Sequence, residues 1–450
     1  MLAIIILTLS ALGILFLGFA KQKSLILPLA ILSLSSAIAC IFFNVSLWNN
    51  WLQDMMTLVD MPKVMILLMF FLAICILPFF KYLQDQNNEE LADFAGLFLL
   101  SLIGAMMMVT YRHFMILFLG IEILSISMYV MAGGDRKNQI SNEASLKYFI
   151  MGAFASAILF FGIALFYTST NTLNLINLSF LPSPIFEISV LIIIAGLSFK
   201  IALVPFHFWA PDVYYGTPTV FTSIMATIVK VASFGALYRF LVLTNDFMPS
   251  WVIWLLSLIA IASIVLGNIM AISQQHVKKL LTYSGIVQSG FILLGFININ
   301  SGNDHSLMYY LIAYALASVV CFLIVHFVEV QSGNDHIDSF NGLFRSNPVL
   351  GVLMTVSLIS LAGIPLTAGF MAKLFILNHA ANMGFISLAV ISLILAVISM
   401  FYYFRLINAI YSKSADQSWQ IPVLYRGILI LICVAILFVG IQPAFIQSLF

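Results

Sequence analysis

Apolar runs of about twenty residues, cut by short polar islands, repeat from one end of this chain to the other. The breaks are short polar islands such as QDQNNEE, GGDRKN, QQHVKK and SGNDH, and none is long enough to form a soluble domain. A bilayer core about 30 Å thick takes about 20 apolar residues per helix. On that measure fourteen membrane segments are predicted: 1–20, 25–47, 63–83, 91–110, 114–132, 144–168, 187–209, 217–243, 250–273, 281–299, 306–330, 348–378, 384–411 and 422–445.

Two of these segments are interrupted. Segment seven ends in GLSFKIALVPFHFW, with Pro205 inside it, and segment twelve contains SLAGIPLTAGFMAKLF, with Gly363, Pro365 and Gly369. Proline inside a helix removes one hydrogen bond and frees a carbonyl. In a bilayer that gap is tolerated only where protein or internal water covers it. Seven and twelve are five segments apart, so they run in opposite directions. Paired interrupted helices in two inverted halves point to an ion pathway. A simple proline kink is the plainer alternative for either break alone.

Composition agrees with the pattern. The chain is 63% hydrophobic and 8% charged, with 40 Phe and a mean hydropathy of +1.12, more apolar surface than a soluble protein can hide. A net charge of +1, with no basic tract, gives no reason to expect nucleic acid. Cys40, Cys75, Cys321 and Cys433 each stand alone in an apolar segment, so no zinc, iron–sulfur or haem spacing exists. The opening MLAIIILTLSALGILFLGFAKQK has no basic leader and no small-residue cleavage site. It reads as a first membrane helix.

Basic residues set the expected orientation. With each connection numbered by the segment before it, the odd ones and their segment ends hold Lys21, Lys23, Lys81, Arg136, Lys137, Lys147, Lys278, Lys279, Arg345, Arg405, Lys413 and Arg426. The even ones hold only Lys63, Arg112 and Arg239. The odd side is therefore cytoplasmic or its equivalent, and both termini face the other way.

Three amines are left over, Lys200, Lys230 and Lys373, all deep in membrane segments; Glu122 is the one acid equally deep. A charge at mid-membrane costs at least about 2.5–3.5 kcal/mol. Snorkelling is a poor account of Lys200. The ends of its segment, Glu187 and Asp212, are about 20 and 18 Å away at about 1.5 Å per residue, beyond the reach of a lysine stem. A static ion pair with Glu122 neutralises one lysine and leaves two. Hydrocarbon favours a neutral amine and a nearby carboxylate favours a charged one, and an amine held between the two is suited to a proton relay.

The stretch GLSFKIALVPFHFWAPDVYYGTPTVFTSIMATIVK resembles the signature of the antiporter-like, proton-translocating subunits of respiratory complex I. FLGIEILS around Glu122, SLKYFIMGAFASAILFFGIAL, QQHVKKLLTYSGIVQSGFILLG and LAGIPLTAGFMAKLFIL agree with it, and together they cover nearly the whole chain. Three features set the chain apart from the subunit L and M types: no tryptophan precedes Glu122, Lys373 replaces a glutamate, and no long lateral helix follows segment fourteen.

The resemblance implies an all-α polytopic fold with two inverted five-helix repeats, helices 4–8 (91–243) and 9–13 (250–411), flanked by helices 1–3 (1–90) and helix 14 (412–450), with helices 7 and 12 discontinuous. It implies that Glu122 and Lys200 form the charge pair of a first half-channel. Lys230 is then a central relay, and Lys373 the terminal lysine of a second half-channel. Lys147 matches a position that bridges Glu122 and Lys200, though by composition it belongs equally to the basic surface. His207 and Tyr283 are implied to line polar cavities. His326, deep in segment eleven, reads as a relay or water ligand, or equally as a histidine buried for packing. The second half departs from the first. Gln288 stands where a carboxylate would repeat Glu122, and segment thirteen has no mid-helix amine.

The function so implied is proton translocation, driven by quinone reduction elsewhere in a hetero-oligomeric complex. This chain is expected to hold no cofactor. NADH, FMN, iron–sulfur clusters and quinone are expected in the partner membrane and redox subunits. The expected location is a bacterial plasma (inner) membrane, with the mitochondrial inner membrane as the alternative, since animal mitochondrial versions lack the first helices. Two competing readings are a subunit of a multi-subunit sodium/proton antiporter and a structural membrane subunit with vestigial charges. Sodium-dependent exchange by the purified chain in liposomes would favour the first. Loss of assembly in lysine variants, with no specific pumping defect, would favour the second.

Overall fold

The structure is a computed structural model that describes residues 2–19, 23–43, 54–82, 88–176, 178–180, 183–297, 304–412 and 419–447. Lys21 and Lys413 of the orientation argument lie outside the described residues. The described residues are almost wholly helical, with three isolated β-bridges and no β-ladder. Ten of the helices are long and apolar enough to cross a bilayer. Three further apolar helices are shorter: Leu2–Leu17, Ile26–Phe42 and Pro348–Ala362.

Two compact units divide the chain, and the sequence does not fill them in order. The first holds residues 1–201 and 216–249. Its helices are α1 (Leu2–Leu17), α2 (Ile26–Phe42), α3 (Asp60–Ile76), α4 (Asn88–Thr110), α5 (Phe114–Ala132), α6 (Gln139–Thr170), α7 (Pro184–Ile201) and α9 (Thr219–Leu243), with α8 (Trp209–Gly216) preceding α9 in the chain. Its centre is α9, whose apolar window is buried on every side, with α4, α5 and α7 packed around it. A helix apolar all round belongs in such a position. Within α9 the residues Met225–Val229 form a π turn that ends at Lys230. Such turns are rare and cluster at functional positions.

The second unit holds residues 202–215 and 250–450. Besides most of α8 it contains α10 (Trp251–Ser273), α11 (Val277–Leu294), α12 (Asp304–Ser332), α13 (Leu343–Ser346), α14 (Pro348–Ala362), α15 (Ala368–Asn382), α16 (Ile386–Ile410), α17 (Val423–Ile441) and α18 (Pro443–Gln447). Here α12 is the helix buried on all sides, and α11, α14, α15 and α17 pack on it.

Both interrupted segments are two helices each. After α7 ends at Ile201, Ala202 takes a left-handed φ of 64°, and the chain turns through Pro205 before α8 begins at Trp209. In the second unit α14 ends at Ala362, Gly363 takes a φ of 84°, and α15 starts at Ala368. A left-handed residue after the last turn is a common way to stop a helix, and glycine adopts it at least cost. Segment six is longer than expected and runs to 32 residues in α6.

The outer faces are oily. Ile150, Phe154 and Phe161 of α6 and Ile394, Val397 and Phe401 of α16 are all at least half exposed. Rows of large apolar side chains of this kind belong against lipid or a partner.

Candidate functional site

In the first unit the site is built on α5 and α7. Lys200 sits in the last turn of α7 and is 5% exposed. Its Nζ donates to Ser125 Oγ at 2.8 Å and to Tyr129 OH at 3.4 Å. Both acceptors lie on α5, three and seven residues after Glu122, so all three share one helical face. Glu122 is half-buried, its Oε1 has no hydrogen-bond partner, and its charge reaches the Lys200 amine. The ammonium is therefore held by two hydroxyls, with the carboxylate near it. Lys230, 2% exposed, begins the α-helical part of α9 that packs against α7.

Lys147 is elsewhere. It forms an ion pair with Glu143 at 2.8 Å, one turn back on α6, and both side chains are largely exposed. Spacing i, i+4 on an exposed face is the usual setting for such a pair.

The second unit treats its lysine differently. Lys373 on α15 is 6% exposed, and its Nζ donates to Leu361 O at 3.1 Å and Ala362 O at 2.8 Å. These carbonyls end α14 and have no helical partner because the helix stops there. The negative end of the helix dipole thus stands where the first unit has a carboxylate nearby. The Phe291 ring lies 5.2 Å from the amine. Gln288 Nε2 donates to the same Leu361 carbonyl at 2.8 Å and to Tyr403 OH at 3.2 Å, while Tyr310 OH donates to Gln288 Oε1 at 2.6 Å. Gln288 is therefore an orienting amide in a buried network.

Three other expected site residues belong to this unit. His207 lies in the turn after Ala202, is 6% exposed, and its Nδ1 is buried without a hydrogen-bond partner. Tyr283 is half-buried on α11 and feels the charge of Asp212 on α8. His326 is buried on α12, its ring against Phe327 at 6.0 Å. At most 6% exposure for Lys200, Lys230 and Lys373 leaves no route for these amines to reach headgroups.

Several buried polar groups escaped the sequence reading. Arg239, counted there as a loop charge, is 4% exposed, and its guanidinium donates to Tyr111 O from Nε at 3.3 Å and from a terminal nitrogen at 3.0 Å. Tyr111 OH returns a bond to Ala236 O at 2.8 Å, which fastens α9 to the start of α5. Replacing Arg239 with Met is expected to cost about 2 kcal/mol, the worth of a buried charge-assisted bond, read as a lower melting temperature of the purified protein. Lys278 likewise turns inward to Glu329 at 3.3 Å. Asp335, 4% exposed, binds His276 Nδ1 at 2.7 Å and the Lys278 backbone N–H at 3.0 Å. Nothing in an isolated Lys or Arg signals an inward partner. The spacing of Glu122, Ser125 and Tyr129 was a usable signal. Among the described residues, no group of three His, Cys, Asp or Glu side chains is placed to hold a metal ion.

Comparison with known proteins decides the family. The family described as NADH:quinone oxidoreductase/Mrp antiporter, TM, matches residues 112–399. The chain belongs to this family. A relative from Flavobacterium psychrophilum, named NADH-quinone oxidoreductase subunit N, is 35% identical over 456 residues, covering 98% of this chain and 98% of the relative. Among solved structures, a chain of respiratory complex I from Thermus thermophilus with bound aureothin is 28% identical, with a TM-score of 0.86, over 98% of this chain and 97% of that one. A chain of the Mrp complex from a Dietzia species has a TM-score of 0.85 at 19% identity, over 98% and 95% of the two chains, and shows the shared fold alone. The family resemblance is borne out, and within this family the similarity is to subunit N. The chain is a multi-pass helical membrane protein whose relatives are named as subunits of an enzyme complex.

Proposed function

We propose that this chain is the proton-translocating subunit N of a bacterial NADH:quinone oxidoreductase, seated in the plasma membrane among other membrane subunits. Fourteen crossings in two inverted five-helix repeats are part of this reading: the ten membrane-length helices, with α1, α2, α11 and the α14–α15 pair each counted as one more crossing. Glu122, Lys200, Lys230 and Lys373 carry the protons. His207, Tyr283 and His326 border the route, and Lys147 stands at its periphery. The electron chemistry of NADH, flavin, iron–sulfur clusters and quinone belongs to partner subunits.

The observation that carries the reading is the pair of broken helices with a buried lysine at each. Lys200 lies one residue before the end of α7, and Lys373 grips the end of α14. Each amine is buried and hydrogen-bonded to neutral oxygens, so it is held without being locked in a direct ion pair. A shift of Glu122 toward or away from Lys200 changes how firmly the amine keeps its proton. Moving one charge against about 100 mV costs about 2.3 kcal/mol, within what the gain or loss of a buried charge partner supplies.

Lys200→Ala in the assembled complex tests this. Proton pumping is expected to be lost, and quinone reduction to slow with it because the two are coupled. Pumping at the wild-type rate with intact quinone reductase activity would end the proposal.

A further inference from the structure

Tyr129 is 6% exposed on α5, and its hydroxyl accepts from the Lys200 amine at 3.4 Å. The same side chain lines a cleft of about 440 Å3 with Arg136, Asn142 and Ser145. A neighbouring cavity of about 280 Å3 also reaches Arg136 and adds Glu90 and Asp93 at the start of α4. Tyr129 therefore borders a cleft on the side richest in Lys and Arg, where Arg136, Asn142 and Ser145 stand among the apolar Phe94, Leu146 and Phe149, and its hydroxyl meets the buried amine.

The backbone around it is shaped for this placement. Ser141 Oγ donates to Ala132 O at 2.9 Å and Ser145 Oγ to Tyr129 O at 2.7 Å, tying α6 to the end of α5. The ring packs edge-on against Tyr148 at 4.7 Å. The phenol oxygen lies over Gly152 of α6, where an added Cβ would stand 2.1 Å from it. Any side chain at 152 pushes that hydroxyl away.

We propose that Tyr129 is the relay hydroxyl through which Lys200 takes its proton from water in this cleft, and that Gly152 is the positioning residue that seats it. The idea rests on the proton-translocation reading above. In the step, the neutral Lys200 amine accepts the phenol proton as the phenol oxygen takes a proton from a hydronium in the cleft. One O–H bond breaks in the hydronium and one in the phenol. One N–H and one new O–H form, and the phenol is neutral before and after. Glu90 and Asp93 stand at the outer end, where carboxylates raise the local proton supply.

The test uses the whole complex in inverted membrane vesicles, with proton uptake and quinone reduction measured together and the amount of assembled complex quantified. Tyr129→Phe keeps the ring and removes the hydroxyl. It is expected to lower coupled pumping per assembled complex by about 100-fold, the low end for a positioned proton-transfer group, and to raise the solvent deuterium isotope effect. Gly152→Ala keeps the hydroxyl but displaces it, and should move both readouts the same way. Tyr129→His, which can donate and accept at one ring, should restore part of the rate. A wild-type pumping rate and isotope effect in Tyr129→Phe would overturn the relay, as would losses in all variants that follow only the amount of assembled complex. Lys200→Ala is run alongside. If it also pumps normally, the translocation reading fails; if it alone loses pumping, only the role of Tyr129 fails.

Discussion

Gly369→Ala is expected to prevent the second unit from folding as it does here. An added Cβ at Gly369 would lie 1.7 Å from Ser360 O, and the Gly369 backbone N–H already donates to Ser360 Oγ at 3.1 Å. The obstacle is the backbone of α14, so no side-chain rotation relieves it. The other flank offers no room either. Gly440 of α17 leaves a space that its own Cβ would close to 2.5 Å from the Thr367 carbonyl carbon. Overpacking of a close-packed interior commonly costs 1–3 kcal/mol, and a backbone collision this short belongs at or above the top of that range, about 3 kcal/mol or more. The matched control is Gly427→Ala on α17, where nothing lies within 4 Å of the new Cβ. There the change should stay within about 1 kcal/mol. Melting temperature and yield of the purified complex read both. Equal stability of the two variants would show that Gly369 of α15 does not lie against Ser360 of α14.

The helices themselves were legible because hydrophobic run length is a direct demand of the bilayer. The apolar runs of residues 114–132 and 250–273 became α5 and α10 almost to the residue. The breaks were legible too, since Pro205 and Gly363 leave the chain few ways to continue a helix. Inward polar partners were harder to see. Arg239 and Lys278 read as surface charges because sequence shows where a residue lies along a helix, not which neighbour it faces. Their partners, Tyr111 and Glu329, are 128 and 51 residues away. Lys147 shows the same limit from the other side. Its local partner Glu143 was on view four residues earlier, and that pair forms on an exposed face. Tyr129 was hidden by its own chemistry. An aromatic in an apolar helix reads as packing, and only the carved space at Gly152 shows that its hydroxyl is aimed.

Lys373→Met is expected to abolish coupled pumping and also to weaken the second unit, and the two effects have separate causes. Methionine keeps the unbranched stem that packs beside Gly363, where an added Cβ would meet the lysine Cδ at 2.8 Å. What is lost is the donor. Leu361 O keeps the Gln288 amide, but Ala362 O loses the bond donated by the amine at the end of α14. A buried carbonyl left bare costs about 1–3 kcal/mol, enough to lower the melting temperature without preventing assembly. Gln288→Ala should give a comparable stability loss, because it strips the second donor from Leu361 O and leaves Tyr310 OH without its acceptor. It keeps the amine, however, so pumping should fall less than in Lys373→Met. Lys373→Arg does not rescue. The guanidinium keeps the charge, but its planar fork needs width that the close packing at Gly363 denies. If the arginine variant pumps normally, the two carbonyls serve only as a cation seat and the amine's ability to shed its proton is not used. If methionine pumps normally, Lys373 is a helix cap and nothing more.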